Sequence, residues 1–202
     1  TAADFADKIY AQPEYQTTTI ASKTTSEQVN QLYLNLFNRP ADASGLLYWT
    51  TEIEKGSLSL SNLAYDLIYA ANNPLEENVG AAAADAANLA AKTVAAEAYT
   101  AAIASNADAL MAYKAGAAYE SAVSFISSVS FSADVQANAV TLPNGSLQPL
   151  GTAEQVNTNL VNLFVGQMLN AEAAVEAAEA AAEAEAAAAE EAAAAAEESA
   201  AD

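Results

Sequence analysis

The sequence predicts an all-α protein: an array of short helices packed as a three-helix unit, an Ala-rich helical hairpin and a long acidic C-terminal helix. Apolar residues recur at helical spacing before residue 74. The composition then shifts to alanine, which has the best intrinsic helix propensity. From Ala171 to Asp202, 20 of 32 residues are alanine and 10 are acidic. We therefore expect three domains, at residues 1–74, 75–150 and 151–202.

The first domain is predicted to hold an N-terminal arm with a short helix, followed by three helices. The first of these three starts with a capping box, in which the Thr24 hydroxyl and the Glu27 carboxylate each bond a free backbone amide. Pro40 ends it, because proline disfavours helical backbone at the residue before it. Its apolar stripe follows the i, i+3, i+4, i+7, i+8 pattern at Val29, Leu32, Tyr33, Leu36 and Phe37.

The other two helices of this domain have equally clear limits. The second is predicted to start at Asp42 or Ser44 and to end at Gly56, a residue type common just after helices. The third opens between residues 57 and 61 and ends at residues 72–74, Asn-Asn-Pro. Each has an apolar face, so the three helices can enclose one small core. The expected core positions on these two helices are Leu46, Trp49, Ile53, Leu60, Leu63, Ala64, Leu67, Ile68 and Ala71.

The second domain is predicted to be an antiparallel hairpin of two Ala-rich helices at residues 76–104 and 107–128. A short helix is expected from Phe131 to Val140, with Ser132 as its cap. Residues 142–146, Leu-Pro-Asn-Gly-Ser, predict a turn.

The third domain is predicted to be a partial repeat that continues as an Ala/Glu-rich helix. Residues 152–164 repeat residues 25–37 at an offset of 127, with eight of 13 positions identical. We therefore expect a helix to begin at Thr152 and to run to the end of the sequence without a stop signal. Repeated units usually build surfaces rather than a single active site.

The composition excludes several classes of function. The formal net charge is −20, with 26 acidic and 6 basic residues, which argues against nucleic acid and anionic lipid as partners. Histidine and cysteine are absent, so disulfides and His- or Cys-dependent catalysis are excluded. No strongly apolar run is long enough to span a membrane. Residues 1–20 show no signal peptide, so either processing has removed one or the export signal lies elsewhere.

Residues 22–73 resemble the helical family catalogued as domain of unknown function 4214. The matching residues are Tyr33, Leu36, Phe37, Arg39, Pro40, Asp42, Gly45, Leu46, Tyr48 and Trp49. The second copy lacks the arginine, proline, aspartate and tryptophan, so only its first helix is similar. The resemblance implies the N-terminal region of a calcium-dependent, RTX-like, type I-exported bacterial surface-layer protein. Its expected location is extracellular, in the surface layer of the cell.

The predicted glycan-binding residues are Tyr33, Arg39, Asp42, Tyr48 and Trp49. Sugars present apolar C–H faces that stack on aromatic rings, and the polar groups supply hydrogen bonds. Trp49 has an alternative role as a core residue of the three-helix unit. Arg39 either holds an anionic sugar or phosphate through two hydrogen bonds, or forms an internal ion pair that fixes its loop.

Calcium is the expected cofactor, with Asn38, Asp42 and Ser44 as predicted ligands and Asn35 nearby. Calcium takes six to eight oxygen ligands, and these side chains offer oxygens within one loop. No EF-hand or nonapeptide calcium repeat is present in the sequence. The alternative is that these side chains only cap and brace the loop.

The sequence does not predict an enzyme. Pairs such as Glu52/Glu54 project in different directions on a helix, and no cleft is indicated around them. We expect a structural surface-layer domain that anchors to the lipopolysaccharide O-antigen or another surface glycan and supports assembly of lattice copies. The alternatives are an assembly or linker module without sugar binding, such as a filament or scaffold subunit, and a fragment whose activity lies downstream.

Overall fold

The computed structural model describes residues 1–16, 18, 20–113 and 117–200. It is mainly α-helical and contains a small antiparallel sheet, so the expectation of a strictly all-α protein is wrong. The chain divides into two compact units. The first comprises Thr1–Ala96 and Ile126–Asn157, and the second comprises Glu97–Phe125 and Thr158–Asp202. The predicted segment 75–150 thus contributes to both units.

The helices before residue 105 follow the predicted pattern. They are α1 (Ala2–Tyr10), α2 (Pro13–Gln16), α3 (Thr25–Phe37), α4 (Ala43–Glu54), α5 (Leu63–Asn72) and α6 (Val79–Ala104). Short 3-10 turns at Leu60–Asn62 and Glu76–Asn78 precede α5 and α6. The sequence therefore predicted the three-helix unit, now α3 to α5, to within a few residues at each end.

The core of this three-helix unit is built from the predicted stripes. Its buried members are Val29, Tyr33, Phe37, Leu63, Leu67 and Ala71. Leu46, Trp49 and Ile53 of α4 pack against them as partly buried side chains. Because α4 contributes no fully buried residue, it lies on the core as an outer layer and keeps one face open to solvent.

Two predicted caps fix the starts of α3 and α4. Thr24 and Glu27 form the capping box, with the Thr24 amide 2.9 Å from Glu27 Oε2. Asp42 is the N-cap of α4, and its Oδ1 accepts a hydrogen bond from the Gly45 amide at 2.8 Å. These caps set the loop between α3 and α4, where most of the predicted site residues lie.

Helix α6 is joined to the end of α3 by two polar contacts. Asp85 bonds the side chain of Arg39, and the Lys92 ammonium donates to the backbone oxygen of Asn35. Asp85 and Lys92 are both buried although the surrounding residues of α6 are mostly alanine. Burial lowers the pKa of Lys92, because desolvation disfavours its charged form.

A three-stranded antiparallel sheet stands where a helix from Phe131 to Val140 was expected. Its strands are β1 (Val129–Ser132), β2 (Ala137–Thr141) and β3 (Leu147–Pro149), in the order β1-β2-β3. Val129 pairs with Val140, and both are fully buried. The alternation Val-Ser-Phe-Ser in β1 has the period of a strand, and this signal was overlooked. Ser132 accepts from the Asp134 amide in a tight turn instead of capping a helix.

The predicted turn at residues 142–146 is confirmed, and it joins β2 to β3. The Gly145 amide donates to the Leu142 carbonyl at 2.8 Å, and Asn144 Oδ1 accepts from the Ser146 amide at 3.0 Å. Asn38 Nδ2 donates to the carbonyl of Val129 at 2.7 Å, so the end of α3 contacts the start of the sheet. The sheet thus belongs to the same unit as the three helices.

The second unit contains α7 (Ala107–Ala112), α8 (Ala117–Ser127) and α9 (Thr158–Ala200), together with the end of α6. The helix predicted at residues 107–128 is therefore two helices, and its residues 114–116 lie outside the described part of the chain. The aromatic core of this unit is continuous: the ring centroids of Tyr99 and Phe125 lie 5.1 Å apart, and those of Phe125 and Phe164 lie 4.8 Å apart.

The partial repeat does not reproduce the start of its helix. Helix α9 begins at Thr158, whereas the repeat predicted a start at Thr152. The reason is the residue before Thr152. In the first copy this position is the capping Thr24, whereas in the second copy it is Gly151, which has no hydroxyl. Gly151 has a φ of +93°, and the Asn157 amide donates to the Leu150 carbonyl at 2.7 Å, so residues 152–157 form a loop.

Helix α9 is continuous from Thr158 to Ala200, which corresponds to a length of about 65 Å at 1.5 Å per residue. The predicted acidic helix is confirmed to residue 200, and residues 201 and 202 lie outside the described part. Between Ala173 and Glu190 every side chain of α9 is exposed. Within the residues that the structure describes, none of the helices combines the length and apolar character needed to cross a bilayer.

Candidate functional site

A groove of about 760 Å³ lies in the first unit, between the α3–α4 loop, α4, the end of α5 and the start of α6. All five residues predicted to bind glycan line it: Tyr33, Arg39, Asp42, Tyr48 and Trp49. Leu67 and Ala71 of α5 supply part of its apolar surface, and Asp85 of α6 supplies a buried carboxylate. The groove therefore combines aromatic, apolar and charged groups in a volume typical of ligand pockets.

Tyr33 lies at the floor of the groove and is only 6% exposed. Its hydroxyl accepts a hydrogen bond from Trp49 Nε1 at 2.9 Å, and its ring packs edge-on against Phe37. Burial raises the pKa of Tyr33, so its hydroxyl is protonated at neutral pH. Trp49 therefore contributes to the core and also orients the Tyr33 hydroxyl.

Tyr48 is the exposed aromatic surface of the groove. Its side chain is 55% exposed, and its ring meets Trp49 edge-on with the centroids 5.0 Å apart. The contact with Trp49 restricts the ring without covering both of its faces. Tyr48 is therefore accessible from the groove, and its predicted stacking on a sugar stays a prediction.

Arg39 forms an ion pair with a residue that the sequence analysis did not single out. Its Nε donates to Asp85 Oδ1 at 2.7 Å and its Nη2 to Asp85 Oδ2 at 2.6 Å, a bidentate arrangement. The guanidinium also lies 5.1 Å from the centroid of the Tyr33 ring. Asp85 hydrogen bonds raise the pKa of Arg39. The internal ion pair that was one of the two alternatives is therefore present, mainly with Asp85.

Asp42 directs its two oxygens to different groups. Oδ1 accepts from the Ser44 hydroxyl at 2.6 Å and from the Gly45 amide at 2.8 Å. The nearest recorded group to Oδ2 is the Arg39 Nη1, at 3.7 Å. The hydrogen bond from Ser44, followed by that from the Gly45 amide, lowers the pKa of Asp42, so the carboxylate stays ionised at neutral pH.

Most of the groove, including the loop between α3 and α4, lies in a segment that matches a protein family. Residues 6–74 match the family described as Domain of unknown function (DUF4214). No curated protein and no solved structure matches the chain. The match confirms the predicted DUF4214 domain, and it includes the second half of α1.

One wall of the groove lies outside the DUF4214 match. This wall is formed by residues that follow residue 74: Leu75 before the 3-10 turn, Asn78 in that turn, and Ala82 and Asp85 in α6. An aspartate within an alanine run gives no sequence signal of its own. Asp85 and Lys92 are two helical turns apart, so they lie on the same face of α6. This spacing is the sequence signal that could have indicated that this face packs against the domain.

The predicted calcium ligands are not gathered around one point. Asp42 and Ser44 line the groove and bond each other, whereas the Asn38 amide donates to the backbone of Val129. Asn35 Oδ1 accepts from Gln31 Nε2 at 3.0 Å. Among the described residues, no group of three or more acidic side chains is arranged to hold a metal ion. Calcium takes six to eight oxygen ligands, so these side chains alone would not complete a site. Calcium binding stays a prediction.

Proposed function

We propose that this chain is a non-enzymatic, extracellular domain of a bacterial surface layer that binds a cell-surface glycan through the groove of its DUF4214 unit. The O-antigen of lipopolysaccharide is the expected glycan, and lattice copies of the chain are the expected protein partners. The observation that carries the proposal is the grouping of Tyr33, Arg39, Asp42, Tyr48 and Trp49 along one groove.

The groups in this groove suit a sugar ring. Aromatic rings bind the apolar C–H face of a pyranose, and Tyr48 presents such a ring to solvent. Polar groups beside it can bind the hydroxyls at the ring edge, and Asp42 and Asn78 lie along the same groove. Apolar surface with a few placed polar groups is the usual composition of a small-molecule site.

The carboxylates of the groove favour binding over hydrolysis. A glycosidase needs one carboxyl group with a raised pKa to protonate the leaving oxygen. Asp42 has a lowered pKa, and both oxygens of Asp85 accept hydrogen bonds from Arg39. Neither carboxylate is therefore arranged as a general acid at neutral pH.

The proposal is tested by titrating the purified chain with O-antigen polysaccharide in a calorimeter. We expect saturable binding that Tyr48→Ala weakens about three- to tenfold, because an aromatic contact of this kind is worth about 0.5–1.5 kcal/mol. Tyr69→Ala is the matched control: Tyr69 is 59% exposed on α5 but does not line the groove.

The absence of binding by the wild-type chain, with and without added calcium, would reject the glycan-anchoring role. Negative-stain microscopy of the same samples tests assembly separately. Sheet-like assembly would support the surface-layer role. A one-dimensional polymer without glycan binding would favour the second candidate, an assembly or linker module, for which the exposed length of α9 offers a surface.

A further inference from the structure

The floor of the groove contains a small gap between two oxygens. Gly45, the third residue of α4, lies there, and a Cβ atom at this position would be 3.0 Å from the Tyr33 hydroxyl and 3.4 Å from Asp42 Oδ2. Both of those residues line the groove. Because Gly45 has no side chain, a ligand can approach the two oxygens together.

The two oxygens have complementary unused hydrogen-bonding capacity. The Tyr33 hydroxyl accepts from Trp49, and its own proton has no acceptor recorded within residues 1–16, 18, 20–113 and 117–200. Asp42 Oδ1 already accepts two hydrogen bonds, whereas the charged group recorded closest to Oδ2 in the described part of the chain is Arg39 Nη1, at 3.7 Å. The gap therefore offers one hydroxyl donor beside one carboxylate acceptor.

The charges around the gap disfavour an anionic ligand. The guanidinium of Arg39 is held by both oxygens of Asp85, and Asp42 adds a second negative charge close by. The three groups together carry one positive and two negative charges, on a chain whose formal net charge is −20. A carboxylate or phosphate on the ligand would enter a negative potential without an unpaired cation to meet it.

We infer that this groove selects an uncharged pyranose with two neighbouring free hydroxyls, one donating to Asp42 Oδ2 and the other accepting from the Tyr33 hydroxyl. The inference rests on the proposed function, since it names the class of sugar that the same groove takes. In this arrangement Tyr33, Asp42 and Gly45 determine which sugar binds, whereas the Tyr48 ring can stack on any pyranose.

Gly45→Ala tests the gap without changing any charge. The added methyl group stands between the two oxygens, so we expect binding of O-antigen polysaccharide to weaken at least about tenfold, equivalent to losing one or two hydrogen bonds. Alanine is a better helix former than glycine, so helix propensity favours α4 in this variant, and the Tyr33 hydroxyl has to shift by a few tenths of an ångström to admit the methyl group. Gly80→Ala in α6 is the control, because a Cβ there meets nothing within 4 Å.

Asp42→Asn is a second, independent variant. Asparagine remains a good helix cap, so the start of α4 is preserved while the free acceptor is lost or replaced by an amide donor. We expect weaker binding of methyl mannopyranoside and methyl glucopyranoside, measured by ligand-observed NMR, and a relative gain for methyl glucuronide. Circular dichroism confirms that each variant is folded.

The possible results separate the two proposals. If O-antigen and the methyl glycosides all fail to bind the wild-type chain, the glycan role itself is lost. If they bind but Gly45→Ala binds as well as Gly80→Ala, or methyl glucuronide binds the wild type as tightly as the uncharged glycosides, only the selection of an uncharged diol is overturned.

Discussion

At the scale of single residues, the ion pair between Arg39 and Asp85 decides what the groove can bind. Asp85 is 6% exposed, so its charge is removed from water and depends on the guanidinium. From the sequence, Arg39 is a loop arginine beside Asp42, and an internal ion pair is one of its two expected roles. The sequence could not identify Asp85, because a partner 46 residues away is brought close only by the packing of α6.

Asp85→Asn should lower the free energy of unfolding by about 1.5 kcal/mol, because it weakens a charged, bidentate hydrogen bond in a partly buried site. The value lies at the lower end of the usual range since about a third of the Arg39 side chain is exposed. Urea denaturation followed by circular dichroism measures the change. Glu52→Gln, which removes the surface partner of Lys55, should leave the urea midpoint unchanged. If both substitutions lower the urea midpoint equally, the Arg39–Asp85 ion pair stabilises the fold no more than a surface ion pair does.

Tyr99 in the second unit carries a buried hydroxyl with no hydrogen-bond partner among the described residues. Burial, with a smaller contribution from Tyr113, raises its pKa from 10.0 to about 12. The folded state thus holds the phenol proton more tightly than the unfolded state does. The resulting stabilisation is complete below pH 10 and is lost as the pH rises towards 12.

Tyr99→Phe should therefore leave stability at neutral pH unchanged or slightly increased, because it removes a polar group that has no partner. It should also reduce the loss of stability between about pH 10 and pH 12. Urea midpoints at pH 7 and pH 11 measure both effects. A large destabilisation at pH 7 would mean that the hydroxyl makes an important hydrogen bond after all.

At the scale of elements, the repeated sequence shows how a single residue can change local structure. Residues 25–30 and 152–157 share five of six identities, yet the first form a helix and the second a loop. The first copy has the Thr24 cap before it, and the second has Gly151 with positive φ. A cap contributes about 1 kcal/mol, which is enough to decide where a helix starts.

Gly151→Ala should destabilise the first unit by more than about 2 kcal/mol, because the residue needs positive φ and its Cβ would lie 1.9 Å from the Gln155 carbonyl oxygen. Gly145→Ala should cost only about 1 kcal/mol, since it has the same backbone strain but open space around it. Urea denaturation compares the two variants in one unit. Similar costs would show that residues 152–157 relax easily.

The elements also differ in how far the sequence could predict them. Helices α3, α4 and α5 combine large apolar stripes with caps and stop signals, and they occur where they were predicted. The strands β1 and β2 are short, and their alanines and serines are compatible with either structure, so their pairing was missed. Alanine-rich segments give helix propensity but few large side chains to indicate a partner, which explains the undetected break between α7 and α8.

At the scale of the whole molecule, the charge of −20 is the dominant property. Like charges repel across a folded chain, and this repulsion lowers stability at low ionic strength. The charge follows from the composition, and it is the reason why nucleic acid is not an expected partner. The five residues predicted to bind glycan all line the groove, and their role in binding stays a prediction. The far wall of the groove on α6 depends on tertiary packing that no local pattern revealed.

Raising NaCl from about 20 mM to about 500 mM should increase the Tm, because salt screens repulsion between acidic side chains. Tetramethylammonium chloride at equal ionic strength should give the same increase if screening is the cause. Calcium chloride at matched ionic strength tests the predicted cofactor: an additional rise would indicate specific binding. A Tm that does not change in any salt would show that self-repulsion is unimportant for this chain.

The wall of the groove on α6 has a practical consequence for truncated versions of this protein. An expression fragment cut at residue 74, where the family match ends, would lose Asp85 and Ala82 while keeping Arg39. Its guanidinium would then keep only the 3.7 Å ion pair with Asp42. On the proposed selection of an uncharged sugar, we expect acidic sugars to bind such a fragment better than the longer chain. Ligand screens are therefore best made on a chain that includes α6.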